Sequence, residues 1–289
     1  MRTFQVVMAA ALLTAPAFAS IPAHPGMLNY VEGQANIDGR QITNQSVGSA
    51  DVQQGQVIET GQGKVEVLLT PGVFLRLGSN SAIRMVNAGL ADTTVEVLRG
   101  EAMVEATDIL RGNNIKIIDH GITTRLDKNG LYSFEADKPE VAVYQGKATV
   151  SNGEAQRDLT KGREEDLAGL HVTKFDTKQG DELYRWSDLR SEYLSEASVS
   201  SARTYLVSPG WYGGGWYWNP WYGYYSFLPG DGFLYSPFGW GFYGPRGVGY
   251  YRGPIRAGAV VANSSFVANR SFAASSMARG SAGFRGGRR

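Results

Sequence analysis

The chain has 289 residues, with 28 lysines and arginines against 27 acids, three histidines and no cysteine. The missing cysteine excludes disulfides, thiolate metal sites, a cysteine nucleophile and a lipidated N-terminal cysteine. The near-neutral total hides a division: all 27 acids lie at or before Asp231, and eight arginines run from Arg246 to Arg289 with no acid among them. That leaves a body of about −8 and a tail of about +8 once the N-terminal leader is removed.

In chain order, Arg2, an apolar run from Val6 to Leu13 and the tripeptide Ala17-Phe18-Ala19 have the form of a signal peptide with cleavage after Ala19. The apolar run is too short to span a membrane as a mature helix, and no later segment approaches about 20 uninterrupted apolar residues. A mature chain starting at Ser20, periplasmic or secreted, without an integral membrane segment, is the expectation.

From Leu28 a spacing begins that then recurs. Leu28-x-Tyr30-x-x-Gly33-x-Ala35-x-Ile37 is matched by Val95-x-Val97-x-x-Gly100-x-Ala102-x-Val104 and by Val141-x-Val143-x-x-Gly146-x-Ala148-x-Val150. Each copy reads as two alternating strands joined through a glycine turn, a hairpin-like unit. Irregular separations between copies fit a β-roll, an irregular β-solenoid or a sandwich of short strands better than a regular repeat array. Further strands are predicted over residues 114–118, 122–126 and 131–136, the last after the turn Asp127-Lys128-Asn129-Gly130. Residues 160–167 read as a solvated loop or a last short hairpin, and the β domain, residues 20–175, ends near Phe175.

The stretch from Val52 to Met85 organises this domain. Its period-2 apolar runs are broken every few residues by glycine or Pro71-Gly72, the signal for short half-buried strands. The order Gly55-x-x-Ile58-x-Thr60-Gly61, an alternating strand, Pro71-Gly72, then Leu75-x-Leu77-Gly78-x-Asn80-Ser81-x-Ile83 resembles the FecR domain, over roughly residues 28–150. That domain is the periplasmic module of iron-citrate-type transmembrane signalling regulators and occurs in many exported bacterial proteins. Pro71 and Val73 depart from the Asp and Ser of the family's turn, which alters its surface chemistry. Such regulators also carry a cytoplasmic anti-sigma segment and a membrane span ahead of this domain. Here the leader runs almost directly into the β region, so sigma-factor regulation by this chain alone is not expected.

A 3.6-residue period starts at Asp181, a candidate N-cap, with Leu183, Trp186, Leu189, Tyr193, Leu194 and Ala197 on one face. Arg190, Glu192 and Glu196 are expected on the wet face of this helix, which is placed within residues 176–204 and docked on the β domain. Residues 205–251 hold five of the six tryptophans among glycines and prolines that break regular structure. Residues 252–289 are small, polar and arginine-bearing, with too little apolar surface to fold alone, so a disordered tail is expected.

No catalytic constellation emerges. His24, His120 and His171 sit on separate segments without metal-ligand spacing. Ser79, Asn80 and Ser81 lie in a glycine turn without a Gly-x-Ser-x-Gly elbow. Asp127, Glu135 and Asp137 could be paired as glycosidase acids, but scattered acids on a β surface usually only solvate it. Gly61-Gln62-Gly63 and Gly213-Gly214-Gly215 open no helix after a strand and are not phosphate loops. The most informative feature outside the β domain is the aromatic segment, whose Trp211, Trp216, Trp218, Trp221 and Trp240 are the candidate partner-binding residues, since rings with a polar handle suit a half-wet interface. The expectation is a non-enzymatic, cofactor-free envelope module that binds an envelope protein or an anionic surface polymer, in envelope signalling or assembly. The alternative is a carbohydrate- or matrix-binding surface protein using the same rings. Nucleic acid is not expected as a partner, because the chain is exported.

Overall fold

The structure, a computed structural model, describes residues 23–206, 211, 213–251 and 253. The expected signal peptide and basic tail lie outside the described residues, apart from Gly253. Fifteen strands form one curled sheet. They are β1 (Leu28–Ile37), β2 (Arg40–Ile42), β3 (Val57–Thr70), β4 (Val73–Leu77), β5 (Ala82–Ala88), β6 (Asp92–Arg99), β7 (Glu101–Ala106), β8 (Asn114–Asp119), β9 (Ile122–Leu126), β10 (Gly130–Glu135), β11 (Glu140–Gln145), β12 (Lys147–Ser151), β13 (Gln156–Thr160), β14 (Arg163–Asp166) and β15 (His171–Lys174). Neighbours pair antiparallel except β6 and β8, which are parallel.

Strand β3 belongs to both halves of the curl. Its residues 57–59 pair with β5 and its residues 65–70 with β4, while β1 follows it along both parts. One half continues through β5, β6, β8, β9, β12 and β13; the other runs through β4, β7, β10, β11, β14 and β15. Between them lies the main core, with Val67, Leu75, Val104, Phe134 and Val143 from one side and Ile83, Val95, Ile117, Leu126 and Val150 from the other. The described residues are thus mostly β with one α-helix, and their strand pairing follows a curled sheet rather than the coil-on-coil stacking of a solenoid.

The thrice-repeated motif marks where the chain bends from one half to the other. The hairpin reading of these units is corrected: β6 passes through Gly100 into β7, yet β6 pairs with β5 and β8 while β7 pairs with β4 and β10. Likewise β11 passes through Gly146 into β12, and each pairs elsewhere. In the first copy the strand is continuous, and β1 bends through a register shift between Gly33 and Ala35. Period-2 alternation with a central glycine is common to a hairpin and to a strand that turns a corner, so the sequence alone could not separate them. Gly33, Gly100 and Gly146 have φ of +71°, +68° and +101°. A Cβ at Gly146 would approach Asn129 O to 2.8 Å, and one at Gly100 would approach Ser81 Cα to 2.9 Å. Both conformation and space therefore demand glycine. Beneath the Gly146 corner the hydroxyl of buried Tyr132 accepts a hydrogen bond from the Lys147 N–H at 3.2 Å and also contacts the carbonyl of Lys128. Burial pushes its phenol up to about 12.

The two halves differ on their outer faces. Strand β8 alternates buried with half-buried residues, but β4 is buried at every position and β7 at all but its first. A strand buried on both faces needs a second layer, and α1 (Glu182–Leu206) with the aromatic segment supplies it. Asp181 caps α1 as expected, its carboxylate accepting from Tyr184 N–H at 2.6 Å. The expected face is corrected by about one residue position. Arg190 is buried with Ser187, Ser191, Leu194, Ser195, Ser198 and Ala202, while Leu189 and Tyr193 are exposed. Small serines allow the close approach that the layer above requires, so the buried stripe is not the most apolar one.

That layer contains two ribbons. Strand β16 (Gly215–Asn219) pairs with β17 (Tyr224–Leu228), and β18 (Phe233–Tyr235) pairs with β19 (Gly241–Tyr243). The helix acts as a neighbour to β19: Ser195 Oγ donates to Gly241 O at 2.6 Å, and Ser198 Oγ accepts from Tyr243 N–H at 2.9 Å.

The corner glycines give a direct test. Gly100→Val and Gly146→Val should each lower unfolding stability by more than about 1 kcal/mol through left-handed strain, with further loss from the clash. Gly39→Val has the same conformational strain, at φ +77°, but meets no atom within 4 Å. Urea titration should therefore rank both corner variants below Gly39→Val; equal midpoints would mean that the corners are not closely packed.

Candidate functional site

The chemistry richest in charge lies inside the molecule, between the sheet and α1. Glu66 on β3 and Arg76 on β4 are cross-strand partners, and Glu105 on β7 stands one strand further on. All three are fully buried. Arg76 donates through Nε to Glu66 at 2.8 Å and through Nη1 to Glu105 at 2.6 Å. From the helix, Arg190 donates to Glu66 at 2.8 Å and Ser191 Oγ donates to Glu105 at 2.8 Å. Asn29 of β1 donates to both Glu66 and the Tyr225 carbonyl, and its own Oδ1 accepts from Tyr225 N–H. The four charged groups sum to zero, which is what permits their burial. The Arg190 guanidinium also lies between two rings, 4.1 Å from the Tyr30 centroid and 4.6 Å from that of Tyr224.

The two carboxylates shift in opposite directions. Burial alone would raise Glu66, but Arg190 and then Arg76 outweigh it and hold the carboxyl below the ordinary value. Burial raises Glu105, and Arg76 only partly offsets that. This cluster was not legible in the sequence, because isolated Glu66, Arg76 and Glu105 in alternating strands read as solvent-facing positions. The available signal was the nearly unbroken apolar run around them, which marks strands covered on both sides.

The five tryptophans separate. Trp216 and Trp218 are half-buried against Met27, Leu68, Phe74 and Phe227, and Trp218 meets Tyr225 edge-on at 5.1 Å. Trp240 is half-buried and its indole N–H donates to Asp188 on α1 at 2.7 Å. Trp211 is half-buried, with the Arg246 guanidinium 5.8 Å from its ring centroid. Trp221 alone of the five is exposed, at 87%. The structure therefore does not gather them into one surface.

The other candidates do not form a single site either. His120 pairs with Asp119 at 2.6 Å in the β8–β9 turn, His24 contacts the Pro25 carbonyl, and His171 lies on β15. Ser81 Oγ accepts from Glu101 N–H, and Ser79 lies in the same turn. Asp127 binds Arg125 and Thr149, whereas Asp137 accepts from Gly100 N–H and Glu135 pairs with Lys138. The latter two acids line a groove of about 320 Å³ with Glu101 and Glu182, and Asp127 is not part of it. Neither Gly61-Gln62-Gly63, inside β3, nor Gly213-Gly214-Gly215, at the start of β16, precedes a helix. Among the described residues, no group of three or more His, Asp or Glu is placed to hold a metal ion, and no helix is long and apolar enough to cross a membrane.

Comparison with known proteins finds a family match for part of the chain. Residues 56–149 match the model described as FecR protein, about a third of the chain, from the start of β3 to β12. No curated protein matches significantly. Two crystal structures of a candidate anti-sigma factor from Parabacteroides distasonis ATCC 8503 align at 15% and 16% identity, with TM-scores of 0.36 and 0.35. The alignments cover 47% and 52% of this chain; they span 64% of the first structure, under two thirds of its length, and 72% of the second. The matched FecR region supplies Glu66, Arg76 and Glu105, whereas Arg190 comes from the helix beyond it.

Arg190→Met tests this interface. Removing one member of a buried charge group typically costs about 3–5 kcal/mol. Because Glu66 is held below its ordinary value, its contribution exists above the unfolded carboxylate range and is lost as pH falls through the folded value. The deficit of Arg190→Met relative to wild type should therefore be largest at neutral pH and shrink in acid. A deficit that is constant from neutral pH to acid, measured by urea unfolding, would contradict the ion-pair assignment.

Proposed function

We propose that this chain, whose residues 56–149 match the FecR family, works as a non-catalytic, exported cell-envelope module that binds another protein in envelope signalling or assembly. The observation that carries the reading is the family match, in a region whose buried ionisable groups Glu66, Arg76 and Glu105 are engaged with one another and with the helix. Groups held this way inside the fold are not available to a substrate; of the other candidates only Glu135 and Asp137 share a groove, with Glu101 and Glu182, while Asp127 and the three histidines lie elsewhere. The sequence supports export through the Arg2 to Ala19 leader. Four of the five tryptophans are half-buried, contacting neighbouring rings, apolar side chains or charged groups, which leaves little of the belt for a sugar ligand and favours a protein partner.

Two measurements check this. N-terminal sequencing of the mature protein should begin at Ser20 in a soluble envelope or secreted fraction; Met1 in the membrane fraction would overturn the export reading. A photoreactive amino acid placed in turn at exposed Leu90, Leu98, Leu110 and Tyr193 should give, in the native envelope, at least one discrete protein adduct. Adducts only with polysaccharide, or none at any position, would overturn protein binding.

A further inference from the structure

The turn between β16 and β17 holds Trp221 outward on a fixed base. Asn219 is buried, and its side-chain amide donates to the Ala197 carbonyl and to Ser201 Oγ, both on α1 and both at 3.1 Å. Its Oδ1 accepts from the Trp221 and Tyr222 N–H groups at 3.0 and 3.3 Å, and its carbonyl accepts from Gly223 N–H at 2.8 Å. The loop is thereby bolted to the helix, while the indole of Trp221 stays in solvent. An exposed apolar ring on a preorganised support loses little conformational entropy on binding, which is how interface anchors act.

The surroundings say what would bind. Tyr222 lies beside Tyr224, their ring centroids 5.7 Å apart, and the Tyr224 hydroxyl donates to the Tyr193 carbonyl at 3.3 Å. On the outer face of α1, Leu189 and Tyr193 are four residues apart and both exposed. Glu192 and Glu196 fall on the same face by helical spacing. Glu196 stands near both Tyr222 and Tyr251, and burial followed by Glu192 pushes its carboxyl up. The Glu196 carboxylate beside the exposed Tyr222 ring favours a cation, and arginine satisfies both kinds of group because it stacks on rings while donating to carboxylates. The protein already uses this pairing internally, where Arg190 lies between Tyr30 and Tyr224 and contacts Glu66.

We propose that Trp221, Tyr222, Tyr193 and Glu196 form a docking surface for an arginine-bearing segment of a partner protein. This rests on the protein-binding function proposed above and names the chemistry of the partner.

The test uses the full chain and a fluorescent decapeptide of alternating arginine and glycine, with lysine and glutamate counterparts at the same ionic strength. The arginine peptide should bind best, the glutamate peptide should not bind, and Trp221→Ala should weaken the arginine peptide by about tenfold or more, as loss of an interface anchor does. Glu196→Gln should weaken it too, whereas Glu154→Gln, a charge change on a distant exposed turn, should leave it unchanged. Equal weakening by Glu196→Gln and Glu154→Gln would reduce the effect to net charge and overturn the proposal. So would unchanged binding by Trp221→Ala, Trp221-dependent binding to phosphatidylglycerol vesicles in place of the peptide, or Trp221-dependent self-association of the chain. If the peptide fails while crosslinking at Leu90, Leu98 or Leu110 still yields a protein adduct, this surface is wrong and the protein-binding function stands.

Discussion

The structure depends on a neutral set of four buried charges. Glu66, Arg76 and Glu105 lie on adjacent strands of the sheet, facing away from its main core, and a sheet with those groups on an outer face is not stable when covered by plain apolar side chains. Arg190 and Ser191 of the helix supply the missing charge and hydroxyl. The cover is therefore specified chemically as well as by shape: a helix without a cation at that position would leave a buried carboxylate uncompensated. Tyr30 and Tyr224 close over the guanidinium and bring the first strand and the aromatic segment into the same arrangement.

This makes the aromatic segment a part of the fold. Its two ribbons do not extend the large sheet; they attach through side chains, with serines of α1 bonding the backbone of β19 and Asn29 of β1 bonding that of Tyr225. Phe227 and Phe242 pack with Phe74 of β4, so the rings also complete the second core. Function is then left to what this packing does not consume. Among the five tryptophans that is Trp221, held out on the turn that Asn219 secures to the helix.

Much of the fold was legible in the sequence where local rules dominate. Strand β9 falls where its alternation predicts it, Asp181 caps the helix, and Gly72 occupies the Pro-Gly turn with φ +82°. Legibility stopped where partners come from far along the chain. The Gly100 and Gly146 corners looked like hairpins because pairing is not encoded in alternation. Arg190 looked wet because a single arginine beside glutamates normally is; only the distant Glu66 and two tyrosines make its burial favourable. The candidate site fared similarly, since composition could count five tryptophans but not separate the four that are half-buried from the one in solvent.

The central claim is that sheet, helix and aromatic ribbons form one cooperative unit joined by the Glu66–Arg190 interface. Native-state hydrogen exchange tests it most directly, because it reads local opening free energies element by element. The amides of β17 and β19 should share the protection of β3 and β4, and Arg190→Met should lower protection of all four together. Exchange of β17 and β19 orders of magnitude faster than β3 in the wild-type protein would show that the aromatic layer opens by itself, and would contradict the account.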